Sequence, residues 1–230
     1  GVVKVLADVW HDILKANVNG SMIYLRPSGT VWVDAQAGKG FELENMVHRS
    51  SEFMVWKGLE DVKGCRTVRK GLQAVVKAEH KDPHFEELLH TSTKGKLCYE
   101  DGVYTFATGE FKPWSECQDV HSLVTTRRTF PTNRPSEDKI REVKGKLVES
   151  CFTLYNADVA VDEVERATTE ALATLFLQRL ARAMAGHVED KVWLMWFGLR
   201  NSGKGVVIRL LEICFGKKYI QNIESGNLFP

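Results

Sequence analysis

The stretch that most constrains this chain runs from Lys191 to Leu211. Lys191-Val192-Trp193-Leu194-Met195-Trp196-Phe197 reads as a buried strand, Gly198 to Gly205 as a glycine-bounded loop, and Val206-Val207-Ile208-Arg209-Leu210-Leu211 as an apolar helix. Gly198 and Gly203-Lys204 keep the spacing of a phosphate-binding loop, and a strand before and a helix after give that spacing its meaning. In such a loop the backbone N–H groups at the helix N-terminus form a nest for the β-phosphate. Lys204 would reach the β- and γ-oxygens as a point charge. Glycine at 198 and 203 lets the backbone approach without a Cβ. Position 205 departs from the pattern: a Ser or Thr hydroxyl normally faces magnesium there, and Gly205 has none. Any Mg2+ accompanying ATP would be held by water and a downstream acid, with no metal ligand assigned in this chain.

Before that block the chain alternates between helical and β texture. Apolar residues at Val2, Val5, Leu6, Val9, Trp10, Ile13 and Leu14 predict one helix from Val2 to Asn17, with Asn17 and Gly20 as its stop. Met22–Leu25 and Thr30–Val33 predict a hairpin around Arg26-Pro27-Ser28-Gly29. Helices are expected over Glu42–Val55 and Cys65–Glu79, and Asp82-Pro83 reads as the N-cap and first position of another. From Lys96 to Phe111, short aromatic runs separated by Asp101-Gly102 and Thr108-Gly109 turns predict a small sheet. Thr125–Pro135 reads as a linker. Ser136 caps a helix to about Phe152, and Asp162 one to about Ala185, ended by Gly186. The inner stripe of that longest helix is expected to be Val161, Val164, Thr168, Leu172, Leu175, Phe176, Leu180 and Met184. Tyr219–Ile223 reads as one more strand.

The expected architecture is an α+β N-terminal region (1–124), mostly helical with small β hairpins and a small sheet. A helical linker segment (125–187) follows, and then the beginning of an α/β phosphate-loop domain (188–230). Two strands cannot build a parallel sheet covered on both faces, so the remainder of that domain is expected further on, in a longer protein. The chain by itself is expected to be inactive.

At 230 residues, 43% hydrophobic and 27% charged, the composition is that of a soluble globular protein. A net charge of +1 excludes nucleic-acid binding through bulk positive charge, so any such binding needs a local patch. The strongest run is Thr125–Lys146, where Arg127, Arg128, Arg134, Lys139, Arg141, Lys144 and Lys146 face Glu137, Asp138 and Glu142: seven minus three, a net +4. Arg127 and Arg128 are the candidate nucleic-acid contacts; the competing reading is an ordinary solvated helix face. Arg200 lies inside the loop, where it could meet a phosphate or a neighbouring protomer.

The five cysteines show no C-x-x-C pair and suggest reduced thiols in an intracellular protein. No apolar run approaches the roughly 18 residues of a membrane span, so no membrane partner is expected. His80, His84 and His90 near Cys98, and Cys117 with His121, have spacings that invite a metal reading. Asp82-Pro83 breaks the first set, which reads as solvated loop histidines, and the second is at most half a site. Trp193 and Trp196 read as core residues.

Three stretches carry a family resemblance: two blocks and, as a weaker match, the Tyr24–Trp32 hairpin. Leu180-Ala181-Arg182-Ala183-Met184-Ala185-Gly186, then Glu189-Asp190-Lys191-Val192-Trp193-Leu194 and Asn201-Ser202-Gly203-Lys204-Gly205, resemble the viral, phage and plasmid primase-helicase family. This is the poxvirus-type branch of the superfamily-three helicases. Asp101-Gly102-Val103-Tyr104-Thr105-Phe106-Ala107-Thr108-Gly109-Glu110-Phe111 looks like that family's Asn-Gly-Val-x-Asp-x-x-Thr-Gly-Glu segment, with Asp101 and Thr105 at the departures. The resemblance covers residues 95–230. It implies a replicative ATP-dependent DNA helicase with an AAA+ core, assembled as a homo-hexamer in the cytoplasm or nucleus of an infected cell. A primase domain or a polymerase partner is also implied. Gly198, Asn201, Ser202, Gly203, Lys204 and Gly205 carry over as nucleotide-binding positions, with Lys204 catalytic, and residues 125–187 would form a collar. The alternative is a non-catalytic oligomerisation or partner-binding module of a replication protein.

Overall fold

A computed structural model describes residues 1–50, 62–152, 163–187 and 204–220. The chain divides into two compact units, Gly1–Thr93 with Pro113–Val124, and Lys94–Lys112 with Thr125–Pro230.

In the first unit, α1 (Val2–Val9) and α2 (Phe41–Arg49) pack on α3 (Val62–Glu79). Cys65, Val68, Leu72 and Val76 recur at helical spacing along α3 and are buried together with Leu6 of α1 and Leu43 and Val47 of α2. A three-stranded antiparallel sheet adds Leu14, Ala16, Ile23 and Leu25 to the same core. Its strands are β1 (Leu14–Ala16), β2 (Ile23–Leu25) and β3 (Val33–Asp34), with Leu14 opposite Leu25 and Tyr24 opposite Asp34. Each buried apolar side chain contributes about 1.5–3 kcal/mol, so this cluster dominates the unit's stability.

The expected helix to Asn17 stops at Val9. Ile13 and Leu14 turn back with N–H bonds to the Trp10 carbonyl, and Leu14–Ala16 joins the sheet instead. Long-range pairing decides the outcome: the Ala16 N–H donates to the His80 carbonyl, and the Ala16 carbonyl accepts from Asp82 N–H, each at 3.0 Å. Val5 and Val9, assigned to the apolar stripe, are exposed. Asn17 is buried and holds the turn that follows, its Oδ1 accepting from Met22 N–H at 3.0 Å and its Nδ2 donating to Glu86 at 3.3 Å.

Two further expectations change here. Asp82 caps a turn and not a helix: its Oδ1 accepts from His84 N–H at 3.0 Å, and α4 (Phe85–Thr91) begins only afterwards, with His84 at the N-cap. His80 is no solvated loop residue. It is buried at the end of α3, its ring 4.9 Å from that of His11 and its Nδ1 without a hydrogen-bond partner.

Residues Pro113–Val124 join this unit through Arg26. The guanidinium, 4% exposed, donates to four backbone carbonyls: Thr30 at 2.8 Å, Gln118 at 2.9 Å, and Cys117 and Val120 at 3.3 Å. It also lies 5.8 Å from the Trp32 ring, whose other neighbours are Phe85, edge-on at 4.6 Å, and His121, stacked at 5.6 Å.

The second unit starts from a three-stranded sheet, β4 (Lys96–Cys98), β5 (Gly102–Thr105) and β6 (Glu110–Pro113), in that order. Leu97 pairs with Tyr104 and Cys98 with Val103. Gly102 is required where it stands, because a Cβ would collide with the Lys112 carbonyl. Phe130 inserts between Phe111, stacked at 4.4 Å, and Tyr104, stacked at 5.5 Å, and its N–H donates to Asp101 Oδ1 at 2.9 Å.

Ser136 caps α5 (Glu137–Phe152), its Oγ accepting from Lys139 N–H at 3.3 Å. α5 packs on α6 (Glu163–Met184). Gly186, at φ +73°, ends α6, with Gly186 N–H bonded to Ala183 and His187 N–H to Arg182. The expected inner stripe of α6 is exposed over its first half and half-buried at Phe176, Leu180 and Met184. Val164, Leu172 and Leu175 are 73%, 51% and 45% exposed, while the intervening Ala173 is 1% exposed. Over the first half burial follows the small residue, which allows close approach, and leaves the larger side chains of the stripe outside. Val161 and Asp162 fall outside the described residues.

Two predictions follow from the first unit. Arg26→Met leaves buried carbonyls without donors and should lower unfolding free energy by about 2–4 kcal/mol, read by urea denaturation; a change below about 0.5 kcal/mol would contradict the anchoring role. Burial, with His11 beside it, holds the His80 imidazole below its ordinary value of 6.5. The unfolded chain therefore takes up this proton more readily than the folded one, so stability is full above that pH and falls as pH drops through it. Melting temperature should decline on acidification, less steeply in His80→Leu.

Candidate functional site

Of the phosphate-loop residues, Gly198, Asn201, Ser202 and Gly203 lie outside the described residues, as do Arg200, Trp193, Trp196 and the expected strand Lys191–Phe197. Lys204 and Gly205 are described. Lys204 is the half-buried first residue of α7 (Lys204–Phe215), and Gly205 is the second. Lys204 is the first described residue of α7, and a helix N-terminus is where unsatisfied N–H groups and the dipole favour an anion. Gly205 is exposed, and a Cβ built on it meets nothing within 4 Å. Among the described residues nothing in the packing requires glycine at this position.

α7 is apolar around most of its circumference, yet only Val207 of its residues is buried. Val206, Leu210 and Ile213, at helical spacing, are exposed. Its far end is held more firmly. Gly216, at φ +83°, stops the helix, and the Tyr219 and Ile220 N–H groups both bond to the Gly216 carbonyl. Tyr219 and Ile220 therefore form a turn where a strand was expected; positions 221–223 lie outside the described residues. The Tyr219 hydroxyl accepts from the Cys98 N–H at 3.3 Å, and burial pushes its ionisation up.

Arg127 and Arg128 lie in the loop after β6. Arg127 is exposed, at φ +55°. Arg128 is engaged in the structure itself: Nε donates to the Ile213 carbonyl at 3.0 Å, and its own carbonyl accepts from Glu100 N–H at 3.0 Å. Most of the basic run on α5 is matched along its own surface. Arg134 pairs with Glu137, Lys139 and Lys146 with Glu142, and Arg141 with Asp138, at 2.6–3.4 Å between exposed side chains. Such exposed pairs are screened by solvent and stabilise the helix only weakly. Lys146 and Lys139 hold the Glu142 carboxyl below its usual range. Arg127 and Lys144 have no ion-pair partner among the described residues.

No group of three or more His, Cys, Asp or Glu side chains suited to a metal occurs among the described residues. Cys117 is buried, and its carbonyl serves Arg26; His121 Nδ1 lies 3.0 Å from the Asp119 carbonyl. No helix among the described residues is long and apolar enough to cross a membrane.

No protein-family model matches the chain. A Sputnik virophage protein named as a helicase is 28% identical over 161 residues, covering 70% of this chain and 18% of that protein. The chain is thus related to a viral helicase-named protein and spans less than a fifth of its length.

The open surroundings of Gly205 give a prediction for α7. Gly205→Ala should stabilise that helix by about 0.5–1 kcal/mol, seen as a raised melting temperature; a lowered one would show that position 205 needs glycine for its backbone conformation.

Proposed function

We propose that the chain is part of a replicative ATP-dependent DNA helicase of a virus or mobile element, of the poxvirus-type superfamily-three branch. In this reading it comprises the α+β N-terminal region (1–124), a helical collar (125–187) and the beginning of an AAA+ domain (188–230). The observation that carries the reading is Lys204 as the first described residue of α7, at the spacing from Gly198 that a phosphate loop requires. The similarity to the virophage protein supports it. Gly198, Asn201, Ser202, Gly203 and Gly205 complete the loop around the β- and γ-phosphates of ATP, and the intact protein works as a homo-hexamer on DNA. A bound Mg2+ would neutralise charge between those phosphates. With Gly205 supplying no hydroxyl, this loop gives the ion no side-chain ligand at that position. Arg127, exposed and free of ion pairs among the described residues, is the better of the two arginines for contact with a nucleic-acid backbone.

A second reading, an oligomerisation or partner-binding module without catalysis, is favoured by the exposed Val164, Leu172 and Leu175 on α6. One set of measurements separates the two. In the helicase reading the intact protein hydrolyses ATP, DNA stimulates it, and Lys204→Ala abolishes turnover. Gly205→Ser should lower the magnesium concentration needed for half-maximal activity. Turnover unchanged in Lys204→Ala would remove Lys204 from the mechanism.

A further inference from the structure

The far end of α7 is tied into a closed circuit of hydrogen bonds within the second unit. Because Gly216 turns the chain, the Ile213 carbonyl lies beyond the helix's own N–H ladder, and the Arg128 guanidinium supplies its donor at 3.0 Å. The Arg128 backbone is itself held in place. Its carbonyl accepts from Glu100 N–H at 3.0 Å, and its N–H donates to Thr126 Oγ1 at 3.3 Å. The Thr126 N–H in turn donates to the Cys98 carbonyl at 2.9 Å, and the Cys98 N–H donates to the Tyr219 hydroxyl at 3.3 Å. Tyr219 follows Gly216 in the turn after α7, so the circuit returns to its start. A cation at a helix C-terminus also complements the helix dipole.

We infer that Arg128 is a positioning residue for Lys204, acting through α7. This rests on the reading of Lys204 as a nucleotide ligand. Ile213 is nine residues beyond Lys204, about 14 Å along the helix. A rigid helix fixed at one end has its axis and its rotation set at the other, so the circuit fixes where the Lys204 ammonium is presented. Arg128 touches the helix and not the phosphates. Its effect is therefore on geometry, with no charge contributed to the ligand.

The test is ATP binding with magnesium by the intact protein and its variants, measured by calorimetry at several salt concentrations. Arg128→Met should weaken binding on the order of tenfold, leave the salt dependence of the affinity unchanged, and be largely rescued in Arg128→Lys, which keeps a donor. Tyr219→Phe removes the acceptor of the Cys98 N–H and should weaken binding in the same direction, which keeps the test open if Arg128→Met fails to fold. Lys204→Ala should lose both affinity and salt dependence. If Arg128→Met lowers the melting temperature but binds ATP as the parent does, Arg128 is merely structural and the inference fails alone. A flattened salt dependence in Arg128→Met would also overturn it, by showing direct contact with phosphate. If the parent protein binds no ATP, or Lys204→Ala binds normally, the underlying reading fails and takes the inference with it.

Discussion

A single buried guanidinium sets the boundary of the first unit. Arg26 carries a permanent charge into a place with almost no solvent, which is tolerable only with its N–H groups saturated. Three of its four carbonyl partners, Cys117, Gln118 and Val120, come from a segment remote in sequence. Side chains seal the same junction: Trp32 lies under the guanidinium and stacks against His121, whose N–H donates to Ser92 Oγ at 2.8 Å. The unit is discontinuous because the charge of Arg26 must be answered by those carbonyls.

Local signals made much of the fold legible. The β2–β3 hairpin, the buried stripe of α3 and the β4–β5–β6 sheet follow from alternation, helical periodicity and turn residues, which act over a few positions. Ser136 and Gly186 were readable for the same reason, as a cap and a stop. Where distant partners decide, local reading failed. Trp10–Leu14 has helical periodicity, but the pairing of Leu14–Ala16 with Ile23–Leu25 outweighs a weak propensity. Arg26 looks like a turn residue beside Pro27, and nothing nearby announces the carbonyls it serves. On α6 the stripe of large apolar residues marked a face that is half-buried from Phe176 on, but in its first half burial followed Ala173.

The same division applies to the candidate site. Lys204 and Gly205 became candidates through spacing, which is a local signal. The engagement of Arg128 with Ile213 was not, because it joins residues 85 positions apart. Charge counting overstated the basic run: most of its cations meet acids three or four residues away, and Arg128 meets a carbonyl. Positive charge in the Thr125–Lys146 stretch thus serves local structure first, leaving Arg127 and Lys144 as its uncommitted cations among the described residues.

The interrupted first unit bears on how the chain is made. Arg26 leaves the ribosome 91 to 94 residues ahead of Cys117, Gln118 and Val120. At about 5–20 residues per second, that is a wait of roughly 5–20 s. Throughout it, the guanidinium site must stay hydrated and the Trp32 surface uncovered. The strands of the second unit's sheet are synthesised within that interval. A nascent chain paused before Pro113 would therefore present an incomplete first unit to chaperones or proteases.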